Sequence, residues 1–412
     1  MTNISTDNPA TALPSAEPET VGVSSTRLAR IVPALNARIE AGQLPGAVIA
    51  IARHGRLIFH EAVGHLGPDR RAQMPRDALF AIASMTKPIT GVAGLLLWEA
   101  GRLGLADPIE RFLPQLGNRR VAVLDQRVLA GQGPIETVPA RRPITMQDLL
   151  RHTSGITYGG RGTTAVHALY PASSNAAGVS LDASAFLDQL AAAPLLYQPG
   201  TVWDYGLSID VIGLLVESIS GQRLGAFLEQ HLFRPLGMVD TSFQVPQDKV
   251  VRLARPLPRD PDTGAAQSVP DRAQALRFEC GGGGLASTAL DYLRFAQMLL
   301  GGGVLGETRI LGRKTVEAMR TDRMTPEIEN HIAELDPNSD GYGFGLSVGV
   351  RARVGTLMGS LGEFYWNGAY GTLWWADPVE DLAVVFMAQV PGEQRRLYRT
   401  LINSLVYQAL VG

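Results

Sequence analysis

Apolar positions Leu28, Ile31, Leu35 and Ile39 recur at helical spacing between a possible cap at Ser24-Ser25 and a terminating Gly42, which predicts a first helix. The pattern then changes to short apolar runs over residues 46–51 and 57–62, joined by Arg53-His54-Gly55, which predict two strands and a turn. Residues 74–82 lead into a long apolar stretch ending near Gly101. Pro88 places the start of that helix close to Ser84, because proline is tolerated only in a first turn. Asp107 and Pro108 read as the cap and first position of a further helical segment over residues 109–116.

Residues 117–143 are mixed in polarity and read as a long excursion, and Thr145 opens a short helix over 146–151. The glycine- and serine-rich stretch 156–180, with Tyr158 and Tyr170, reads as a lid or pocket wall. Helices are predicted behind Ser208, over 224–233, behind Ser287-Thr288 over 290–300, near 315–319 and over 395–410. Asp260-Pro261-Asp262-Thr263-Gly264 predicts a hairpin tip, and strands are expected at 342–348, 372–375 and 382–388. Strands therefore gather at the two chain ends and helices in the middle. The expected architecture is α/β (α+β), an antiparallel sheet from both ends flanked by helices with an inserted mainly helical subdomain. The boundaries are a flexible tail at 1–20 and one catalytic unit at 21–412, with α/β parts at about 21–80 and 275–412 and the helical part at about 81–274.

With 412 residues and 45% hydrophobic content, the chain is long enough for a sizeable core. Thirty-nine acidic against 37 basic residues leave no electrostatic footprint for nucleic acid or an anionic membrane. The first residues lack the basic start and apolar core of a signal peptide, no apolar run near Ser84 approaches the ~20 residues of a membrane span, and the one cysteine, Cys280, excludes an internal disulfide. A cytoplasmic location is expected, with oligomeric state open.

Composition bears on chemistry at one point. Of the 37 basic residues only Lys87, Lys249 and Lys314 are lysine, and lysine, unlike arginine, can give up its proton when buried. Lys87 follows Ser84 by three residues, so on a helix the two share a face. Burial and the positive end of the helix dipole both favour a neutral, basic amine, and the Ser84 N–H at that end can bind an oxyanion. A surface coincidence is the bland alternative.

Ser84-Met85-Thr86-Lys87, the block Leu149-Leu150-Arg151-His152-Thr153-Ser154-Gly155, the segment from Tyr205 to Gly213 and Trp366-Asn367-Gly368 resemble, in order and spacing, serine hydrolases of the class C β-lactamase and penicillin-binding-protein type. The similarity is greatest to the family VIII carboxylesterases. The resemblance implies a Ser84-Lys87-Tyr205 triad, a second oxyanion donor at the Ala369 N–H, and a substrate-binding edge formed by Trp366, Asn367 and Gly368. Tyrosine and lysine have similar ordinary pKa values and can share a proton. Two departures point away from β-lactams. Trp366 stands where such enzymes carry the lysine of Lys-Thr-Gly, and Leu207 stands where an asparagine holds the acylamide group.

Other motifs are read as structural. Gly345-Leu346-Ser347-Val348-Gly349 matches a nucleophile elbow, but no helix start follows and no histidine lies downstream of Ser347, which reads as a strand residue. His60 and His65 are five apart, which separates their rings and implies no metal site. The glycines at 281–284 lack the lysine of a phosphate loop and suggest close backbone packing beside the site. Cys280 reads as a small buried residue, His152 as a structural histidine, and some of Trp203, Trp366, Trp374 and Trp375 must face the core.

The reading is a serine carboxylesterase acting on short-to-medium acyl esters through an acyl-enzyme, with a small-molecule ester as its partner and no cofactor. Its rivals are an acyltransferase, a weak β-lactamase or D-peptidase on the same site, and a non-catalytic acylatable sensor.

Overall fold

Continuous apolar runs from the two chain ends meet in one sheet. In the computed structural model, which describes residues 13–412, β1 (Gly46–Arg53) and β2 (Arg56–Gly64) join β3 (Tyr342–Phe344), β4 (Gly349–Arg351), β5 (Phe364–Asn367), β6 (Leu373–Asp377) and β7 (Leu382–Ala388). The seven strands run in the order β3-β4-β5-β6-β7-β1-β2, antiparallel throughout. The seam between chain ends is β1 against β7, in register from Ala47 opposite Ala388 to Arg53 opposite Leu382.

Every residue of β1 and β7 is buried, so both sheet faces must be covered. Trp374 pairs with Val385, the neighbour of Phe386, so Trp374 and Phe386 point to opposite faces. On one face Trp374 meets Tyr292 and Phe295 of α5 (Ala289–Leu300), with ring centroids 5.6 and 6.1 Å away. On the other, Phe386 meets Tyr398 of α6 (Gln394–Tyr407) at 6.0 Å. Beside the sheet, α2 (Thr86–Glu99) packs on α4 (Ser208–Ser220), and α4 on the short α3 (Met146–Leu150). This is an α+β architecture, an antiparallel sheet covered by helices on both faces with a helical half beside it. Among the described residues no single helix is long and apolar enough to cross a membrane.

Several local expectations are corrected. Residues 13–20 are part of the fold: Ala16 N donates to Leu57 O at 3.0 Å and Leu57 N to Pro14 O at 2.9 Å, which covers the edge strand β2. Residues 1–12 of the expected tail lie outside the described residues. The first predicted helix is two, Ser25–Leu28 and α1 (Ile31–Glu40), because Pro33 cannot accept a helix continuing beneath its ring. Asp107 caps no helix over 109–116. It accepts from Gly104 N, and Pro114 divides the segment into two 3₁₀ turns. The stretch 342–348 is β3 followed by a turn in which Ser347 adopts φ 69°, so Ser347 is a turn residue. A Cβ on Gly91 would come within 2.6 Å of Ser347 Oγ, which explains the glycine where this hairpin presses on α2.

Candidate active site

Ser84 lies in a 3₁₀ turn, Ala83–Met85, that runs directly into α2. Ala83 holds φ 45°, a conformation costing an L-residue about 1–3 kcal/mol, so the turn must be over-determined by its surroundings. Ile82 N donates to Leu285 O at 3.1 Å, Tyr292 Oη to Met85 O at 2.8 Å and Thr372 Oγ1 to Ile82 O at 3.2 Å. Sheet, α5 and the glycine loop thus clamp the serine together.

Lys87, 1% exposed, donates from Nζ to Ser84 Oγ at 3.2 Å, Tyr158 Oη at 3.0 Å and Gly282 O at 2.5 Å. Three acceptors match the three protons of an ammonium. Burial alone would push Lys87 toward the amine, as the sequence suggested, but the negative potential of Tyr158, Tyr205 and Asp210 outweighs it and raises its pKa.

From Tyr158 the network continues. Tyr158 Oη lies 2.7 Å from Ser174 Oγ, and Ser174 Oγ donates to Asp210 Oδ2 at 2.6 Å. Asp210 Oδ1 accepts from Gly282 N at 2.9 Å, and Gly282 O returns to Lys87. Because a carboxylate only accepts, Ser174 must take its other bond from Tyr158, and every proton points from Lys87 toward Asp210. Burial raises the Asp210 carboxyl and, against the opposing charge of Lys87, the Tyr158 phenol. Gly282 has no alternative here, since a Cβ would lie 2.3 Å from Ser174 Oγ and 2.4 Å from Asp210 Oδ2.

Tyr205 also borders Lys87, and a side-chain hydrogen bond between them contributes to the raised lysine pKa. The Tyr205 ring lies under Lys87 Nζ, 4.7 Å from the centroid, and its Oη accepts from Trp366 Nε1 at 3.1 Å. With that lone pair occupied, the Tyr205 proton is directed elsewhere. His152 is fully buried with its ring 4.7 Å from that of Tyr205, its Nε2 unpartnered and its pKa held well below the ordinary value by burial, so it is neutral packing.

A cavity of about 220 Å³ opens at the serine, and Ser84, Tyr158, Ser174, Tyr205, Asn367 and Ala369 line it. Three expected substrate contacts do not. Leu207 and Trp366 are buried, at 0% and 1% exposure, and Trp366 serves as donor to Tyr205. Gly368 instead permits close approach: a Cβ there would come within 2.5 Å of Ile82 O, so only glycine brings the end of β5 beside the nucleophile turn. Trp203, Trp374 and Trp375 are buried, and Cys280 is a buried thiol pushed up to about 12 by burial. Among the described residues no group of three or more His, Cys, Asp or Glu side chains is placed to hold a metal ion.

Tyr158, Ser174 and Asp210 were missed as a set. Asp210 had a visible signal, as the one charged residue in the otherwise apolar or small run from Ser208 to Val216.

The loop carrying His152 and Tyr158 is anchored by Asp148. Its buried carboxylate completes a capping box with Thr145 and pairs with Arg142, Nη2 to Oδ1 2.9 Å. Burial pushes its pKa up, but the Arg142 and Thr145 hydrogen bonds outweigh it and hold the carboxyl below the ordinary aspartate value. The stabilisation is therefore complete above the unfolded pKa of about 3.9 and is lost as pH falls through the lower folded value. Asp148→Asn is expected to cost about 2–3 kcal/mol at pH 7, less than a wholly buried pair because Arg142 reaches solvent. Melting curves from pH 7 down to 3 should show the variant's deficit shrinking only below about pH 4.

A serine three residues ahead of a buried lysine that donates to it, clamped between an antiparallel sheet and a helical half, is the arrangement of the Ser-x-x-Lys serine hydrolases. Residues 28–407 match the Beta-lactamase family, and the chain belongs to it. Protein Rv1367c of Mycobacterium tuberculosis (strain ATCC 25618 / H37Rv) is 39% identical over 358 residues, covering 85% of this chain and 87% of that protein. Esterase EstB of Burkholderia gladioli is 30% identical over 407 residues, covering 92% of this chain and 95% of that protein. The solved structure of EstCE1, described as a hydrolase with promiscuous acyltransferase activity, superposes with a TM-score of 0.75 at 27% identity, covering 93% of this chain and 99% of that chain. The protein is a serine hydrolase with esterase relatives.

Proposed function

We propose that the protein is a carboxylesterase that cleaves short-to-medium acyl esters through an acyl-enzyme on Ser84. The observation that carries this reading is the placement of Lys87 Nζ between Ser84 Oγ and a one-directional hydroxyl chain ending at a buried carboxylate. Lys87 passes a proton to Tyr158 O as Tyr158 passes its own to Ser174 and Ser174 to Asp210, leaving a neutral amine. That amine takes the Ser84 proton as Oγ bonds to the ester carbonyl carbon, and the Ser84 and Ala369 N–H groups hold the oxyanion. Tyr205 gives its proton to the departing alcohol as the C–O bond breaks. The Tyr205 phenolate then takes a proton from water, whose hydroxide attacks the acyl carbon, and Lys87 returns a proton to Ser84 as the acid leaves.

The substrate argument rests on Trp366 and Leu207. With both buried, neither position presents to the cavity the lysine or the asparagine that the resemblance associates with β-lactam recognition, and the lining includes Arg161, Arg395 and Arg396 instead. Transfer of the acyl group to an alcohol is the second reading, favoured by the promiscuous acyltransferase activity of EstCE1.

Parallel assays of p-nitrophenyl butyrate and a chromogenic cephalosporin test the proposal. The expected result is a kcat/KM larger for the ester by at least about 100-fold, with a single butyryl mass on the rapidly quenched protein, since complementary pockets discriminate by a few kcal/mol. Faster cephalosporin cleavage would overturn it. Added alcohols that raise total turnover would establish the transfer reading.

A further inference from the structure

Away from the nucleophile, a larger cavity of about 660 Å³ opens between the loops at 66–72, 250–256 and 268–272, within the ~300–1,000 Å³ range of small-molecule sites. Its walls are mostly apolar, with Leu66, Leu253, Ala254, Val269 and Pro270, and Arg272 also lines it. Arg272 is 1% exposed. Among the described residues its hydrogen bonds all come from Nη2, to Asn175 Oδ1 at 2.9 Å and Gly283 O at 3.0 Å, and its buried Nε has no acceptor.

No carboxylate among the described residues pairs with this guanidinium. The two acids that line the same cavity are engaged elsewhere. Asp69 pairs with Arg255 at 2.8 Å, and Asp271 accepts from Ala273 N at 3.0 Å and Gln274 Nε2 at 3.3 Å. Burial does lower the Arg272 pKa, yet arginine keeps its proton in proteins, so a charge without a counter-charge stays buried at the edge of an apolar chamber. Such a charge is stabilised most by an anion whose remaining surface is apolar.

We infer that this cavity is a second ligand site, separate from the nucleophile, which takes a medium-chain aliphatic monocarboxylate with its carboxylate on Arg272 and its chain along Leu253, Ala254 and Val269. The site communicates with catalysis through one side chain. Asn175 and Gly283, both held by Arg272 Nη2, line the catalytic cavity, and Gly283 follows the glycine whose carbonyl accepts from Lys87. A carboxylate drawing the guanidinium toward the second cavity loosens those two bonds.

Calorimetric titration of the full chain with sodium octanoate, and with octan-1-ol as the uncharged control, tests the site. One saturable octanoate site is expected, with octanol binding at least about tenfold weaker, the ratio expected for a charge-paired anchor. Arg272→Gln should weaken octanoate by at least tenfold. Val269→Trp, at a half-exposed wall position and tolerant of folding, should do the same by filling the chamber. Asn367→Trp, which narrows the catalytic cavity, should leave octanoate affinity within twofold. No saturable binding, equal binding of octanol, or loss in Asn367→Trp with retention in Val269→Trp would each overturn the inference.

Discussion

Ser84→Ala is expected to lower p-nitrophenyl butyrate turnover by about five to six orders of magnitude, the loss seen when a nucleophile acting as part of a unit is removed. The hydroxyl is the bond-forming atom, and no neighbour can replace it. Tyr158 Oη and Ser174 Oγ, the next oxygens along the network, are engaged with each other at 2.7 Å and with Asp210 at 2.6 Å. The substitution removes one partly exposed oxygen and leaves the clamp around Ile82 and Met85 intact, so melting should stay close to the wild type. Residual turnover above about 1% of wild type, or a butyryl mass on the variant, would place the nucleophile elsewhere.

The second large effect separates the two phenols. Loss of a general acid or base typically costs about 10²–10⁴-fold, and the leaving group decides which step feels it. If Tyr205 protonates the departing alcohol, Tyr205→Phe should slow an ethyl ester by about 10³-fold and a p-nitrophenyl ester far less, because p-nitrophenolate leaves without a proton. Tyr158→Phe interrupts the path from Lys87 to Asp210 before the leaving group matters, so it should slow both esters alike, by about 10²–10³-fold. Asp210→Asn shares that path and should behave as Tyr158→Phe does. Equal sensitivity of all three variants to the leaving group would defeat the division of labour.

The parts of this architecture that rest on local periodicity were legible in the sequence. The runs at 46–51 and 382–388 are buried strands, that at 57–62 is a half-buried edge strand, and Thr145 and Thr288 cap helices as their patterns required. What failed was set by neighbours distant in sequence. Ser347 leaves the strand because its N–H donates to Leu150 O at 2.7 Å and its side chain meets Gly91. In the site, Ser84 and Lys87 are joined by helical spacing and could be paired on sight. Tyr158 reaches Lys87 directly from a loop, Asp210 stands 52 positions later on a helix and is joined to it only through Ser174 and Gly282, and the folded chain alone brings them together. Trp366 was read as facing substrate because its position matched a lysine that does so, whereas an indole N–H with a phenol within reach turns inward.

The seam of β1 with β7 also bears on synthesis. A chain emerging from the ribosome delivers Ser84 early, but Trp366, Thr372, and Gln389, whose Nε2 donates to Ala81 O at 3.2 Å, arrive only in the last part of translation. Until then β1 has an open edge where β7 will lie, and the Ala83 turn lacks the contacts that hold it at a positive φ. A nascent or C-terminally truncated chain thus carries the nucleophile's sequence without its geometry, and activity appears only when the final strand closes the sheet.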